Sequence, residues 1–353
     1  MTLVLLPTGF RDRLPPEADA SARLVRAILD TIAAYGYERV QPPLAEFETA
    51  LKAGSRDLLR FVDPVSGEMM AVRSDMTGQV GRIAATRMGH HPRPVRLSYA
   101  GPVVKLRATQ LRPEREMMQV GAELIGLDSV AAASEIITVA IESLQAAGVT
   151  AITLDLTMPD LIDLLANGPL PVDDRAALKA RLDVKDTANV PPAYRPLIAA
   201  AGPFASAIAR LHAFDTGGIL TARLAALEAI VATLPADISI TLDPTERHGF
   251  EYQSWLGFSV FSADASGEIA RGGAYRVGDE AAVGFSAYID PLIDAGLARS
   301  ERRRLFLPLG TPVGTAAALR AQGWITVAAM SEGDSAAAQI CSHVLVDGEP
   351  VAV

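Results

Sequence analysis

The hydrophobic and polar residues of the first third of the chain predict a helix followed by strands. Residues 15–36 begin with two prolines, carry Glu17 and Asp19 in the first turn and end at Gly36, and their apolar residues recur at helical spacing. Residues 37–40 then alternate as a short strand that stops at two prolines. We therefore expect a core-facing helix that leads into a sheet.

Two longer strands are predicted at residues 95–104 and 115–124. Because successive side chains of a strand point to opposite faces, the second strand has one mostly apolar face that can pack on helices. Its other face carries Arg115, Met117, Gln119, Gly121 and Glu123. This face is either exposed to solvent or the floor of a polar pocket, and the pattern alone does not decide between the two.

The middle of the chain changes from sheet to helix and back. Asp128 can cap a helix that ends near residue 147, and a strand is expected at 150–157. Residues 159–235 show helical patterns separated by loops and no alternating strand, which predicts a helical insertion. The strands that we expect after it are residues 237–242, 250–261, 268–274 and 282–288, with a hairpin turn at Ser266–Gly267.

The end of the chain reads as a small α/β appendage. Charged residues 301–304 are typical of a solvated linker, so we expect one domain over residues 1–300 and a second over residues 305–353. The expected elements of the appendage are strand 305–309, helix 315–322, strand 326–330, helix 335–341 and strand 344–346. Asp347–Gly348 is a hairpin signal before the last residues.

Composition excludes several classes of function. The 353 residues are 50% hydrophobic and carry a formal net charge of −9, which argues against broad binding of nucleic acid or of an anionic membrane. Cys341 is the single cysteine, so an internal disulfide and a cysteine zinc cluster are excluded, and a reducing cytoplasm is the expected compartment. The apolar stretch at the N-terminus is too short for a signal peptide, and no apolar run reaches the ~18 residues that span a bilayer.

The generic catalytic motifs are missing from the sequence. It contains no P-loop, no Gly-x-Gly-x-x-Gly after a strand and no Gly-x-Ser-x-Gly. The five histidines lack the spacing of zinc ligands. We therefore expect neither a metal nor a cofactor.

Four segments in a fixed order are more specific. They are residues 36–46, residues 73–82, residues 101–105 with 115–126, and residues 249–252 with 271–275. Together they resemble the catalytic domain of class II histidyl-tRNA synthetases over about residues 5–295. The resemblance implies an α+β fold, in which helices flank an antiparallel sheet and a helical insertion interrupts it.

The resemblance also implies an amino-acid pocket. Asp75 and Thr77 match the element that receives the substrate ammonium, and Gln119 and Glu123 match strand positions that bind ammonium and imidazole. Tyr252 matches a tyrosine that contacts the imidazole. A carboxylate pair suits an ammonium group and an imidazole N–H. The alternative is that these polar residues only satisfy one another.

The positions that would hold ATP depart from the family. Lys105 stands where an arginine holds the α-phosphate, and Pro291, after Asp290, stands where an arginine clamps the γ-phosphate. His248 precedes Gly249 where the histidine-specific arginine is expected. Adenylyl transfer depends on such preorganised charge, so we expect these three degenerate positions to leave almost no adenylation.

This profile is typical of the histidyl-tRNA synthetase-like regulatory subunits of ATP phosphoribosyltransferase. The resemblance implies a short-form catalytic subunit as partner, a homodimer through the motif-one region, and feedback by histidine on the first step of histidine biosynthesis. Residues 305–353 hold Arg320 as their only arginine or lysine against four carboxylates, so no tRNA partner is expected. A divergent active synthetase and a free-standing histidine-binding module remain the alternatives.

Overall fold

The computed structural model describes residues 5–51, 58–107, 114–247, 252–299 and 303–353. The chain divides into two compact units, Met1–Ala298 and Arg299–Val353. Each is described by itself below.

The first unit combines helices with a large sheet. Its helices among the described residues are α1 (Glu17–Ala34), α2 (Thr77–Thr86), α3 (Val130–Ala146), α4 (Leu161–Asn167), α5 (Arg175–Asp183), α6 (Arg195–Ala199), α7 (Phe204–Phe214), α8 (Thr221–Val231) and α9 (Asp290–Asp294). Its strands there are β1 (Glu38–Arg39), β2 (Ala45–Phe47), β3 (Leu59–Val62), β4 (Met69–Val72), β5 (Val95–Val104), β6 (Glu116–Ile125), β7 (Ile152–Thr157), β8 (Gly202–Pro203), β9 (Ser239–Leu242), β10 (Gly257–Ser262), β11 (Glu268–Val277) and β12 (Glu280–Tyr288). Single 3-10 turns lie at Glu48–Leu51 and Pro192–Tyr194.

The main sheet has, within the described ranges, nine strands in the order β1-β5-β6-β12-β11-β10-β7-β9-β8. Its pairs are antiparallel except for β1 with β5 and β7 with β9. This confirms the α+β class II synthetase-like fold. Strands β2, β4 and β3 form a separate small antiparallel sheet, which the sequence analysis did not predict.

The two faces of the main sheet are covered differently. On one face, Val120 and Leu124 of β6 join the large core with Leu24 of α1 and Ile136 of α3. On the other face, strands β5, β11 and β12 join a smaller cluster with α2, for example through Val80. Gln119 and Glu123 lie on this second face and are fully buried, so the polar face of β6 is not a solvated surface.

Most predicted elements of the first unit form close to their expected bounds, with three corrections. The strand expected at residues 250–261 begins only at Gly257, because residues 252–256 form a turn and irregular chain. Ser129, not Asp128, caps α3, because the Ser129 hydroxyl accepts the Ala132 N–H at 3.1 Å. The helical insertion also contains β8, a two-residue strand that is too short to produce an alternating pattern.

The second unit is a small α/β arrangement. Its described elements are β13 (Arg304–Leu307), α10 (Val313–Ala321), β14 (Ile325–Ala328), β15 (His343–Val346) and β16 (Glu349–Ala352), and the strand order is β14-β13-β15-β16. Asp347 and Gly348 both have positive φ, as a two-residue hairpin turn between β15 and β16 requires.

The prediction of a helix at residues 335–341 is wrong, because this segment forms turns. The Asp334 carboxylate accepts the backbone N–H groups of Met330 and Ser331, which favours a turn directly before it. Ile340 adopts φ +51°, a left-handed conformation that no helix interior accepts from a β-branched residue. The turn at Asp334 and the left-handed backbone of Ile340 are therefore incompatible with the helix that the apolar residues suggested.

Candidate functional site

A polar pocket lies on the α2 side of the main sheet, above the centre of strands β6, β11 and β12. Its described lining residues are Asp75, Thr77, Glu123, Tyr252, Gln253, Arg271, Gly272, Gly273, Tyr275, Gly284, Phe285, Ser286 and Tyr288. The free volume is about 20 Å³, little more than one water molecule needs. Any larger ligand therefore requires side chains at the pocket to move.

The five residues that the sequence nominated for histidine come together here. Asp75, Thr77, Glu123 and Tyr252 line the pocket. Gln119 lies directly behind it, fully buried, and bonds to Asp75. The α2 side of β6 is thus the floor of a pocket, the second of the two interpretations that the pattern allowed.

Glu123 is the buried acid of the pocket. The Tyr99 hydroxyl donates to one carboxylate oxygen at 3.0 Å, and the Tyr275 hydroxyl donates to the other at 2.7 Å. Burial raises the pKa of Glu123 to about 8, although the two tyrosine hydrogen bonds favour the charged form, and the neighbouring Asp75 adds to the rise. At neutral pH this carboxyl group is therefore mostly protonated.

Gln119 ties the floor of the pocket to the start of α2. Its amide nitrogen donates to Asp75 and to the Ser286 hydroxyl, both at 2.7 Å, while its oxygen accepts the Met76 N–H at 3.0 Å. The other oxygen of Asp75 accepts the Thr77 N–H at 2.8 Å. Because all these bonds are made within the chain, they fix the Asp75 carboxylate in place before any ligand arrives.

Two glycines leave the space that the side chains of Glu123 and Tyr99 occupy. Gly284 pairs with Glu123 across β12 and β6, and a Cβ atom at Gly284 would lie 1.7 Å from a carboxylate oxygen of Glu123. A Cβ atom at Gly121 would lie 2.7 Å from the Tyr99 hydroxyl oxygen. Neither position can carry a side chain while Glu123 and Tyr99 stay where they are.

Sequence reasoning did not assign several polar residues of this site to the pocket: Tyr99, Gln253, Arg271, Tyr275, Ser286 and Tyr288. Tyr99 reads as part of an apolar strand face, and its hydroxyl is polar only at the tip. The sequence spacing could have indicated Ser286, since it follows Gly284 by two positions and therefore lies on the same face of the strand. The partners of these hydroxyl groups lie on other strands, and no local pattern indicates them.

The degenerate ATP positions have identifiable surroundings in two of three cases. Lys105 follows β5 and its backbone N–H bonds to the Arg115 carbonyl at 2.7 Å, at the base of the loop between β5 and β6. Pro291 is the second residue of the short helix α9. His248 lies outside the described residues.

Two carboxylates of α9 face the N-terminal segment. Asp290 is buried, accepts the Met118 N–H at 2.9 Å and pairs with Arg13, while Asp294 pairs with Arg11 at 3.1 Å. Burial raises the pKa of Asp290. The place where the resemblance puts a γ-phosphate clamp thus holds a proline and a buried acid.

Comparison with known proteins identifies the family. Residues 9–292 match the protein family described as histidyl-tRNA synthetase. A relative named ATP phosphoribosyltransferase regulatory subunit, from Rhodospirillum centenum, is 42% identical over 98% of this chain and 96% of its own length. The chain belongs to the family of ATP phosphoribosyltransferase regulatory subunits.

Two solved structures share the fold of this chain. A protein from Bacillus halodurans, titled an ATP phosphoribosyltransferase regulatory subunit/histidyl-tRNA synthetase, superposes with a TM-score of 0.81 at 21% identity and covers 97% of each chain. A chain of the ATP phosphoribosyl transferase (HisG:HisZ) complex from Thermotoga maritima gives a TM-score of 0.61 at 17% identity, over 78% of this chain and 98% of that chain. At these identities the structures show a shared fold.

The described residues contain neither a membrane-spanning helix nor a metal-binding group of side chains. Within those residues, no helix combines the length and the apolar character needed to cross a membrane. Nor does the described part of the chain gather three or more His, Cys, Asp or Glu side chains into a group that could hold a metal ion.

Proposed function

We propose that this chain is the non-catalytic regulatory subunit of a hetero-oligomeric ATP phosphoribosyltransferase. It supports the first step of histidine biosynthesis and its feedback control by histidine. The observation that carries the proposal is the 42% identity, over nearly the full length of both proteins, to a relative of that name. The single cysteine, which leaves no internal disulfide, supports a reducing cytoplasmic location.

The surroundings of the ATP positions support a loss of synthetase activity. At α9, where the resemblance places a phosphate clamp, Pro291 stands in place of the arginine, and the neighbouring Asp290 and Asp294 pair with Arg13 and Arg11. Lys105 keeps a positive charge but lacks the planar fork with which arginine grips a phosphate. The oriented charge that adenylyl transfer needs is therefore missing from two positions.

The amino-acid half of the site supports histidine as the ligand. Asp75 and Glu123 are two carboxyl groups in one pocket, linked by a hydrogen-bonded chain of Gln119, Ser286 and Tyr99. We propose that they receive the ammonium group and the imidazole N–H of free histidine, together with Thr77 and Tyr252. Tyr252 lines the pocket and lies edge-to-face with Tyr275, with 6.0 Å between the two ring centroids.

The partner of this chain is a short-form catalytic subunit. The fold is that of a chain in the Thermotoga maritima HisG:HisZ complex, which supports assembly of this kind. We further propose that the regulatory chain forms a homodimer through the motif-one region. Strand β2 of the small sheet overlaps the first of the family-like segments, and one face of this sheet exposes three large apolar side chains, an arrangement that marks interaction surfaces. These side chains are Phe47, Leu59 and Phe61, and we call them the apolar patch.

Histidine-dependent exchange between ATP and pyrophosphate tests the loss of synthetase activity. We expect no exchange by the purified chain, because Lys105, Asp290 and Pro291 replace or oppose the phosphate clamps. Lys105→Arg should not restore it, since groups that act as a unit are not additive. A rate above roughly a hundredth of that of an active histidyl-tRNA synthetase assayed in parallel would favour the divergent synthetase instead.

A further inference from the structure

A largely buried set of side chains connects helix α2 with the small sheet of β2, β3 and β4. Arg82 of α2 pairs with the Glu46 carboxylate of β2. Three residues before Arg82 on the same helix, the Gln79 amide donates to the Pro43 carbonyl at 2.8 Å. Because residues three apart lie on one face of a helix, this face of α2 holds the chain where it enters β2. We call the set of Glu46, Gln79 and Arg82 the α2–β2 contact.

The same helix begins at the polar pocket. Asp75 and Thr77 line the pocket, and Thr77 is the first residue of α2. From Thr77 to Arg82 the helix rises by about 7.5 Å, since each residue adds ~1.5 Å. The pocket has room for little more than one water molecule, so a ligand must displace groups that line it. Because a helix moves as a rigid element, a shift at Thr77 also displaces Arg82.

The α2–β2 contact is incomplete. Three of its buried polar atoms have no hydrogen-bond partner within the described part of the chain: Glu46 Oε2, Gln79 Oε1 and Arg82 Nε. An arginine can hold a carboxylate with two parallel N–H···O bonds, and one donor and one acceptor of that arrangement are unused here. Since unpaired buried polar atoms are costly, a small displacement that forms the second bond is favourable. The contact therefore has two discrete arrangements, with one bond or with two.

The small sheet carries the α2–β2 contact on one face and the apolar patch on the other. Glu46 lies opposite Ala71 of β4, which is fully buried, and shares its face. Phe47 follows Glu46 in β2 and points to the opposite face, which it shares with Leu59 and Phe61. A change in how α2 holds Glu46 thus acts on the strand that presents Phe47.

We propose that α2 couples the binding of histidine to self-association of this chain. The ligand completes the α2–β2 contact, which fixes β2 and strengthens the dimer formed through the apolar patch, because a strand that is already fixed has less ordering cost to overcome on association. Coupling between two sites is reciprocal, so the dimer also binds histidine more tightly than the monomer does. This inference rests on the proposed histidine site and on the proposed dimer.

Calorimetric titration of histidine into dimeric and monomeric protein measures the coupling. The patch variant, Leu59→Glu with Phe61→Glu, places two charges in the apolar patch and leaves β2 unchanged. We expect histidine to bind the wild-type dimer at least roughly fivefold more tightly than the monomeric patch variant, which is the lower end of typical allosteric coupling. Light scattering after gel filtration checks the oligomeric state of each protein.

Variants of the α2–β2 contact test whether it carries the coupling. Glu46→Gln with Arg82→Gln removes both charges together, so that neither loses its partner alone. On this background the patch substitutions should change histidine affinity by less than a factor of about two. Arg82→Lys keeps the charge but cannot form two parallel bonds, so it should abolish the difference as well. Arg87→Gln, at an exposed arginine at the end of α2, is the matched control and should keep the full difference.

The results that overturn the inference are distinguishable. Equal histidine affinity of dimer and monomer, or a difference that survives both variants of the α2–β2 contact, would refute the coupling and leave the histidine site and the dimer standing. If the wild type binds no histidine, alone or with its catalytic partner, the histidine site itself is wrong. If the wild type is monomeric, the dimer is wrong. The coupling falls with either.

Discussion

Burial raises the pKa of Glu123 to about 8, although the Tyr99 and Tyr275 hydroxyl groups partly offset the rise. In the unfolded chain this carboxyl group titrates near 4.5, its ordinary value. Between these two pH values the folded chain binds a proton that the unfolded chain has lost. The free energy of unfolding therefore falls as the pH rises through this window.

Glu123→Gln tests this assignment through thermal stability. Glutamine resembles the protonated acid in shape and charge, so it removes the penalty of ionisation without opening a cavity. We expect the variant to melt a few degrees higher than the wild type at pH 8, with a difference that shrinks toward pH 5. The measurement is the melting temperature between pH 5 and pH 8.

Glu135→Gln is the matched control, because its pKa shift has the opposite sign. Hydrogen bonding by Arg96 lowers the pKa of Glu135, so its contribution is present above the ordinary value and is lost in acid. This variant should be less stable than the wild type at pH 7 to 8. A Glu123→Gln variant that loses stability at pH 8, as the control does, would contradict the assignment.

The same residue makes histidine binding sensitive to pH. Glu123 accepts a donor best when ionised, so binding should release a proton below pH 8 and strengthen between about pH 6.5 and pH 8. At a hundredfold excess over the dissociation constant, histidine should stabilise the chain by about 2.7 kcal/mol, a rise of several degrees in melting temperature.

Thermal denaturation of the wild type and of Glu123→Gln, each with histidine, arginine or lysine, checks this prediction. Histidine should raise the melting temperature of the wild type, and Glu123→Gln should erase most of the rise because the charge is gone. Arginine and lysine should raise neither, because the resemblance implies a pocket shaped for an imidazole ring. A histidine shift that survives the substitution would place the effector site elsewhere, for example at the interface with the catalytic partner.

Among the elements, strand β6 shows how far the sequence predicts the site. Its alternation placed Gln119 and Glu123 on one face, and the structure confirms that face. The alternation could not distinguish a pocket floor from a solvated surface, because the difference depends on α2 and β12, which reach β6 from distant parts of the chain. Likewise, Arg271 needed the register of three strands before it could be placed beside Glu123.

The small sheet of β2, β3 and β4 carries a prediction of its own. Phe47 and Phe61 belong to the apolar patch and are 44% and 41% exposed, so burying them against a second copy is favourable. We expect the wild type to be a dimer by light scattering after gel filtration, and the double variant Phe47→Glu with Phe61→Glu to be a monomer. Val313→Glu, at an exposed apolar position of the second unit, is the control and should stay dimeric. A monomeric wild type, or a double variant that remains dimeric, would remove the patch from the proposed interface.

At the scale of the whole molecule, the ordered family-like motifs predicted the fold, and the departures from those motifs predicted the loss of synthetase chemistry. A match over residues 9–292 describes a synthetase, whereas Lys105 and Pro291 argue against its chemistry. No local pattern contains the identity of the catalytic partner, because that partner is a separate chain. Its assignment therefore depends on relatives of the full chain.

The most direct test combines this chain with the short-form catalytic subunit of ATP phosphoribosyltransferase from the same genome. Turnover of ATP and phosphoribosyl pyrophosphate is measured for each protein alone, for the mixture, and for the mixture with histidine. We expect no turnover by this chain alone, at least a roughly tenfold higher rate for the mixture than for the catalytic subunit alone, and inhibition of the mixture by histidine. Turnover by this chain alone, or a mixture no faster than the catalytic subunit, would contradict its role as the regulatory subunit.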